Sequence, residues 1–376
     1  MSRFLQAEID LKALINNFQE IKTLVKRVNS NIKIIAIVKA DAYGHGAVEI
    51  SKALENQHVD FLGVAFFEEA LILRESGIKS LILLLFDREV EGVFKHNLIP
   101  VIFDIEYAKE LSREAQRRNT ILPVHIKVET GMGRLGIHDN ITDKIKEIAK
   151  MPNLRIEGIM SHLSQAEDFQ WTMKQVNKLK EIKENLKDLK INPLFHISNS
   201  AGLYYTDAIF DAIRPGIMLY GYNTKNNNDK GLSENALNLT PCMTVKTKIL
   251  DIRKLPKGTP ISYGKTFITK RESLIGVVPI GYADGYFRIL SNKAKMIVKG
   301  KRANVVGTVC MDLTMIDLTE IPDVSVGDEV IILGFSGNEK ITAWDIANWA
   351  NTIPYEVLTS LGSKAKRKYK NNGGYK

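Results

Sequence analysis

The stretch "IIAIVKADAYGHG", residues 34–46, decides how the chain is read. An apolar, β-branched run ends in a lysine, and polar, glycine-punctuated sequence follows at once. Ile35, Ile37 and Lys39 are two apart, so in a strand they share one face. A lysine at a strand end ordinarily snorkels into solvent. What lifts Lys39 above that reading is the company the rest of the sequence provides.

Seven further apolar runs follow: "FLGVAF", "SLILLLF", "IPVIF", "PVHIKV", "RIEGIMSH", "LFHISN" and "DAIR". The segments between them have helical spacing. The clearest is "TMKQVNKLKEIKENLKDLK", residues 172–190, with Val176, Leu179, Ile182, Leu186 and Leu189 on one stripe and lysines elsewhere. Strand–helix repetition predicts a parallel sheet, and eight units in roughly 200 residues are what a (β/α)₈ barrel requires. An open doubly wound sheet is the alternative, but it normally has fewer strands and a glycine fingerprint near the N-terminus, after the first strand, and none stands there. After about residue 235 the texture changes. "GLSENALNL" resembles a linker, and Val/Thr/Ile/Lys alternations punctuated by "PKGTP" and "SVGD" predict a compact β domain. A single amphipathic helix, "AWDIANWANTI", is expected near the end. The predicted division is 1–238 for the barrel, with the first few residues free to pair with the β domain, and 239–376 for the β domain, with a basic tail from about 364.

Composition narrows the function classes. No apolar run among the 376 residues has membrane-spanning length, and acidic residues interrupt the N-terminus before a signal-peptide core forms. Cys242 and Cys310 are the only cysteines, which excludes a disulfide framework and a thiolate zinc cluster and fits a reducing cytoplasm. No metal is expected. The net charge is +9, but six of those charges belong to Lys364, Lys366, Arg367, Lys368, Lys370 and Lys376. The remainder is close to balance, so specific nucleic-acid binding is not expected, and the tail reads as frayed and solvated.

In a parallel barrel the active site lies at the C-terminal ends of the strands. Lys39 and Tyr43 follow the first strand; Lys127 and Arg134 the fifth; His162 the sixth; Asn199 and Ser200 the seventh; Arg214, Gly216 and Ile217 the eighth. Each has an ordinary structural reading: a buried histidine is usually a hydrogen-bonded core residue, and Asn199 and Ser200 are good helix caps. Gathered on one rim, these groups suit an anionic ligand. Loops after strands seven and eight commonly bind phosphate, helped by helix N-termini. A phosphate-bearing cofactor beside an inward lysine suggests pyridoxal phosphate joined to Lys39 as an aldimine.

"AIVKADAYGHG", "KVETGMGRLG", "SHLSQAED", "HISNSAG", "IRPGIMLYG", "ISYGKTF", "GYADGY", "VCMDLTMID" and "IPYEV" together resemble the bacterial alanine racemases, in order and over nearly the whole chain. The resemblance implies a pyridoxal-phosphate barrel with an appended β domain, active as a homodimer that interconverts L-alanine and D-alanine and supplies peptidoglycan. It implies Lys39 as Schiff-base lysine and one catalytic base, and Tyr263, from the partner subunit, as the other. Met311 would also cross to the partner's substrate. Tyr43, Ser200, Gly216, Ile217 and Tyr355 match phosphate-binding positions. Arg214 matches the residue facing the pyridine nitrogen, with His162 beside it and Asn199 among the cofactor contacts. Arg134 matches a substrate-carboxylate residue, Lys127 a lysine usually carried as a carbamate, and Tyr282 and Asp312 supporting positions.

Departures are mild: Glu129 where aspartate is common, Tyr286 where tryptophan is often seen, and a tail beyond Gly362 outside the family pattern. Competing readings are a racemase that also takes serine, a fold-related decarboxylase, which would place a carboxylate where Arg214 stands, a non-enzymatic cofactor-binding protein, and a basic RNA-associated protein.

Overall fold

The computed structural model describes residues 4–224, 237–371 and 374–375. Residues 231–236 of the expected linker, and Lys376 of the tail, lie outside them. The chain divides into two units. One comprises Leu14–Ala40 and Ala47–Thr240. The other gathers Met1–Ala13, Asp41–Gly46 and Pro241–Lys376.

The first unit is built on eight parallel strands: Lys33–Ile37, Phe61–Val64, Leu81–Leu84, Ile99–Ile102, Leu122–Lys127, Leu154–Met160, Leu194–His196 and Ala212–Ile213. Each pairs with the next in chain order up to the seventh, and the eighth returns to the first through Lys33↔Ala212 and Ile34↔Ile213. A parallel bridge between Asn199 and Arg214 joins the chain beyond the seventh strand to that beyond the eighth. The sheet is therefore closed, which excludes the doubly wound alternative and leaves no exposed edge. All eight strands fall within the predicted apolar runs or within one or two residues of them. Their cores are buried (Ile35, Leu62, Leu83, Val101, Ile126 and Ile159 among them), because a barrel strand is covered inside by its neighbours and outside by helices.

Helices begin where capping residues stand. Asp104 accepts the Tyr107 amide at 2.9 Å, and Asp168 the Trp171 amide at 3.0 Å. The helix expected over 172–190 runs from Phe169 to Glu184. It buries Val176, Leu179 and Ile182 as the stripe predicts, but ends before Leu186 and Leu189 in a series of tighter turns.

Between strand one and the next helix the backbone does something a loop reading does not anticipate. Lys39–Tyr43 makes a helical turn with φ of 52–54° at Ala40, Asp41, Ala42 and Tyr43, and Gly44 continues at +81°. This turn is left-handed. For L-residues that conformation costs roughly 1–2 kcal/mol each, so surrounding structure has to hold it.

The second unit carries a mainly antiparallel sheet whose central strands include Met243–Lys248, Lys295–Val298 and Glu329–Ser336. Ile261, Ile275 and Val306 form a core cluster with Leu255, Phe267 and Met315. Two sequence expectations fail here. As far as Asn371 the tail is not frayed: Lys366–Asn371 is a partly buried strand, parallel to Gln6–Asp10, with Ala7↔Arg367 and Ile9↔Tyr369 in register. Gln6–Asp10 pairs on its other side with Met243–Lys248, so the tail satisfies an otherwise open edge. The single late helix is two. Ala343–Ala350 is closed by Asn351 in the left-handed region, and Pro354–Lys364 follows with proline in its first turn and Val357, Leu358 and Leu361 buried.

Candidate active site

Four cationic side chains stand at the C-terminal ends of the barrel strands. Lys39 lies two residues beyond strand one. Lys127 ends strand five at 2 % exposure, and Arg214 follows strand eight at 3 %. Arg134 sits in the loop after strand five. Three of them converge on one aromatic ring. Lys39 Nζ lies 5.3 Å from the centroid of Phe86, Lys127 Nζ 5.0 Å and the Arg134 guanidinium carbon 5.6 Å. Crowded cations in a desolvated site lower one another's affinity for protons. The Lys39 amine is accordingly depressed, first by burial and then by Arg134, with Glu69 opposing. Lys127 falls to about 8, again mainly through burial and then Arg134.

The loop carrying Arg134 is ordered by Glu129, whose carboxylate accepts the amides of Gly131, Met132, Gly133 and Arg134. Glu69 ties strand two to the left-handed turn, accepting the amides of Ala40 and Ala65 at 2.6 Å each.

Arg214 is held by neutral groups. It donates to the carbonyls of Ser161, His196 and Ile197 and to His196 Nδ1, with His162 Nδ1 at 3.4 Å. Since guanidinium only donates, His196 Nδ1 accepts, so its proton is on Nε2. That nitrogen lies 2.9 Å from His125 Nδ1 and donates to it, which puts the proton of His125 on Nε2. Burial, with Arg214 next, pulls His125 down to about 3 and holds His162 and His196 well below 6.5. All three imidazoles are neutral, and the arginine carries the charge. Gly158 leaves the space His125 needs: a Cβ there would lie 2.3 Å from Nδ1.

Around strands seven and eight the expectation of open helix amides is corrected. The segment after Ser200 is a four-residue 3₁₀ turn, capped by Asn199, whose Oδ1 accepts the Gly202 amide at 3.0 Å. Ser200 Oγ accepts the Gly216 amide at 2.9 Å and the Met218 amide at 3.4 Å. The Gly216 N–H is therefore already engaged, and Ser200 keeps its own hydroxyl hydrogen to donate. Ser200 and Ile217 are both buried. A depressed lysine amine, a buried guanidinium and an oriented serine donor fit a phosphorylated pyridine aldehyde, the lysine joining its carbonyl carbon and the serine an anionic oxygen.

The second unit presents the remaining predicted residues. Tyr43, on the left-handed turn, packs 5.9 Å from Tyr355 at 43°, and burial pushes its hydroxyl up. Tyr263, Tyr282, Met311 and Asp312 come from three neighbouring loops. The Tyr282 amide donates to Cys310 O and the Ala283 amide to Met311 O, and Ser262 Oγ donates to Thr308 O. Gly281 permits that approach, since a Cβ would fall 2.2 Å from Met311 O. These side chains are exposed: Tyr263 by 73 % and Met311 by 55 %.

Sequence reasoning missed Phe86, Glu69, His125 and His196. Phe86 ends a predicted strand, and nothing in its type marks it. The histidines lie inside apolar strands, and only barrel register places them together.

Two family models cover the chain: the alanine racemase N-terminal domain over residues 9–224 and the alanine racemase C-terminal domain over 242–369. The second reaches into the basic strand, so residues up to 369 are part of the family pattern after all. An alanine racemase of Thermodesulfovibrio yellowstonii is 64 % identical over 369 residues, 98 % of each chain. The alanine racemase structure of Clostridium difficile 630 superposes with TM-score 0.90 at 35 % identity, over 100 % of this chain and 98 % of its own. That of Bartonella henselae, with covalently bound pyridoxal phosphate, gives 0.86 at 32 %, over 98 % and 99 %. Motifs, fold and rim chemistry agree with these comparisons: the chain belongs to the alanine racemase family, pyridoxal-phosphate-dependent isomerases.

Proposed function

We propose that this chain interconverts L-alanine and D-alanine with two bases, Lys39 and Tyr263, one for each face of Cα. Racemisation removes a proton from one face and returns one to the other, which a single fixed base does poorly. Lys39 would hold the cofactor covalently and, as a free amine, would take or give the proton on the face of D-alanine. Its depressed proton affinity keeps the neutral amine accessible. Tyr263 serves the opposite face. When bound, pyridoxal phosphate draws electron density from Cα and so acidifies its proton.

The observation that carries the reading is the surroundings of Arg214. Among the described residues its hydrogen-bond partners are carbonyls and imidazoles. A guanidinium does not give up its proton, so Arg214 would leave the cofactor's pyridine nitrogen unprotonated. The electron sink the cofactor supplies would then be modest, which would favour prompt return of the proton over decarboxylation or transamination. His162 supports Arg214, and Asn199 shapes the turn behind Ser200. Ser200, which accepts from Gly216 and keeps its own hydrogen to donate, serves the phosphate with Tyr43, Tyr355 and the Ile217 amide; Arg134 and the Met311 amide serve the substrate carboxylate, and Tyr282 and Asp312 support the Met311 loop. Lys127 takes up carbon dioxide as a neutral amine, releases a proton, and as an anionic carbamate orients Arg134.

Two copies of the chain share their sites, each lending Tyr263 and Met311 to the other; the exposure of both side chains supports this. The two cysteines, neither of them in a disulfide, fit a cytoplasmic protein, and no helix among the described residues is long and apolar enough to cross a membrane. We assign the D-alanine product to peptidoglycan synthesis. A chiral assay of purified protein over a panel of L-amino acids tests the activity. D-alanine should form fastest; faster conversion of serine, or no D-alanine, would overturn the assignment.

A further inference from the structure

The basic strand Lys366–Asn371 carries charge that the proposed chemistry does not use. Two of its side chains, Arg367 and Tyr369, meet the left-handed turn. Arg367 Nη1 pairs with the Asp41 carboxylate and donates to Gly44 O at 3.1 Å. Tyr369 occupies the far side of the same turn: a Cβ on Gly46 would lie 1.9 Å from its hydroxyl. The helix Pro354–Lys364 closes the turn from another direction. A Cβ on Gly44 would lie 2.6 Å from Leu358 O, and one on Gly362 2.4 Å from Gly44 O. The enclosed segment is the left-handed turn, whose L-residues disfavour that conformation. Tyr43 rides on it, against Tyr355 of the enclosing helix.

We infer that Arg367 is a positioning residue: by gripping Asp41 and the Gly44 carbonyl it holds the left-handed turn, and through it aims the Tyr43 hydroxyl at the cofactor phosphate. This rests on the reading of Tyr43 as a phosphate-binding residue. The competing account is a partly exposed ion pair that adds a little stability and nothing else. The two differ in what they do to phosphate.

The test uses the full chain, stripped of cofactor and titrated with pyridoxal phosphate, pyridoxal and inorganic phosphate, with melting temperature measured alongside. In Arg367→Gln, affinity for pyridoxal phosphate should fall about tenfold and for inorganic phosphate in parallel, while that for pyridoxal changes less than about twofold. Arg367→Lys should recover part of the loss. Asp41→Asn with Arg367→Gln should be no weaker than Arg367→Gln alone, because both remove one contact. Equal losses for pyridoxal phosphate and pyridoxal, tracking the melting temperature, would overturn the inference in favour of the ion-pair account. Tyr43→Phe separates the two layers. If it loses phosphate preference while Arg367→Gln keeps it, the inference fails and the role of Tyr43 stands. If it keeps phosphate preference, the reading beneath the inference fails.

Discussion

The barrel rim and the loops of the second unit solve opposite problems. On the rim, Lys39, Lys127 and Arg214 are buried or largely so, and their proton affinities are lowered first by burial and, for the two lysines, next by Arg134. In the loops, Tyr263, Met311 and Tyr282 are placed by close backbone contacts but face solvent. Burial is what tunes an acid or base, so the rim is chemically prepared within one chain, whereas Tyr263 stands on an exposed loop. A tyrosine that is to act as a base needs an environment, and in the proposed function another copy of the chain supplies it.

The largest effect should come from the prepared side. Lys39→Ala should abolish the visible absorbance of the lysine-linked cofactor and lower racemisation by at least about 10³-fold. Persistence of that band would move the anchoring lysine elsewhere and remove the rim from the chemistry. On the exposed side, Tyr263→Phe should leave the cofactor spectrum in place while lowering α-proton exchange by roughly 10²–10⁴-fold from L-alanine and clearly less from D-alanine. Equal losses for both enantiomers would contradict the assignment of one base to each face.

A smaller effect sharpens the account of the rim itself. The neutral Lys127 amine dominates above its value of about 8, and the protonated form, which cannot add carbon dioxide, below it. Carbamate occupancy, followed by carbon-13 NMR of protein equilibrated with labelled bicarbonate, should therefore be lost as pH falls through about 8. Occupancy independent of pH across that range, or no carbamate signal at all, would count against a carbamate at Lys127.

The same contrast explains what the sequence made legible. Strands one to eight were readable because barrel strands are short, apolar and regularly spaced, and rim residues follow from strand ends. Lys39, Arg134, Ser200 and Arg214 were placed on the rim that way. The left-handed turn was not, because no local preference favours Ala40, Asp41, Ala42 and Tyr43 at positive φ; Arg367, Tyr369 and the helix beginning at Pro354 enclose it from more than 300 residues away. The C-terminal strand was hidden by its lysines, which read as solvation although the backbone beneath them completes a sheet edge. His125 and His196 were hidden by their apolar neighbours.

The central claim, that a site needs Lys39 of one chain and Tyr263 of another, is tested most directly by complementation. Lys39→Ala and Tyr263→Ala chains are each expected to be inactive. Mixed under conditions of confirmed subunit exchange, they should regain about a quarter of the wild-type rate, since half the dimers would be mixed and one of the two sites in each would be intact. No recovery on confirmed exchange would contradict the shared site.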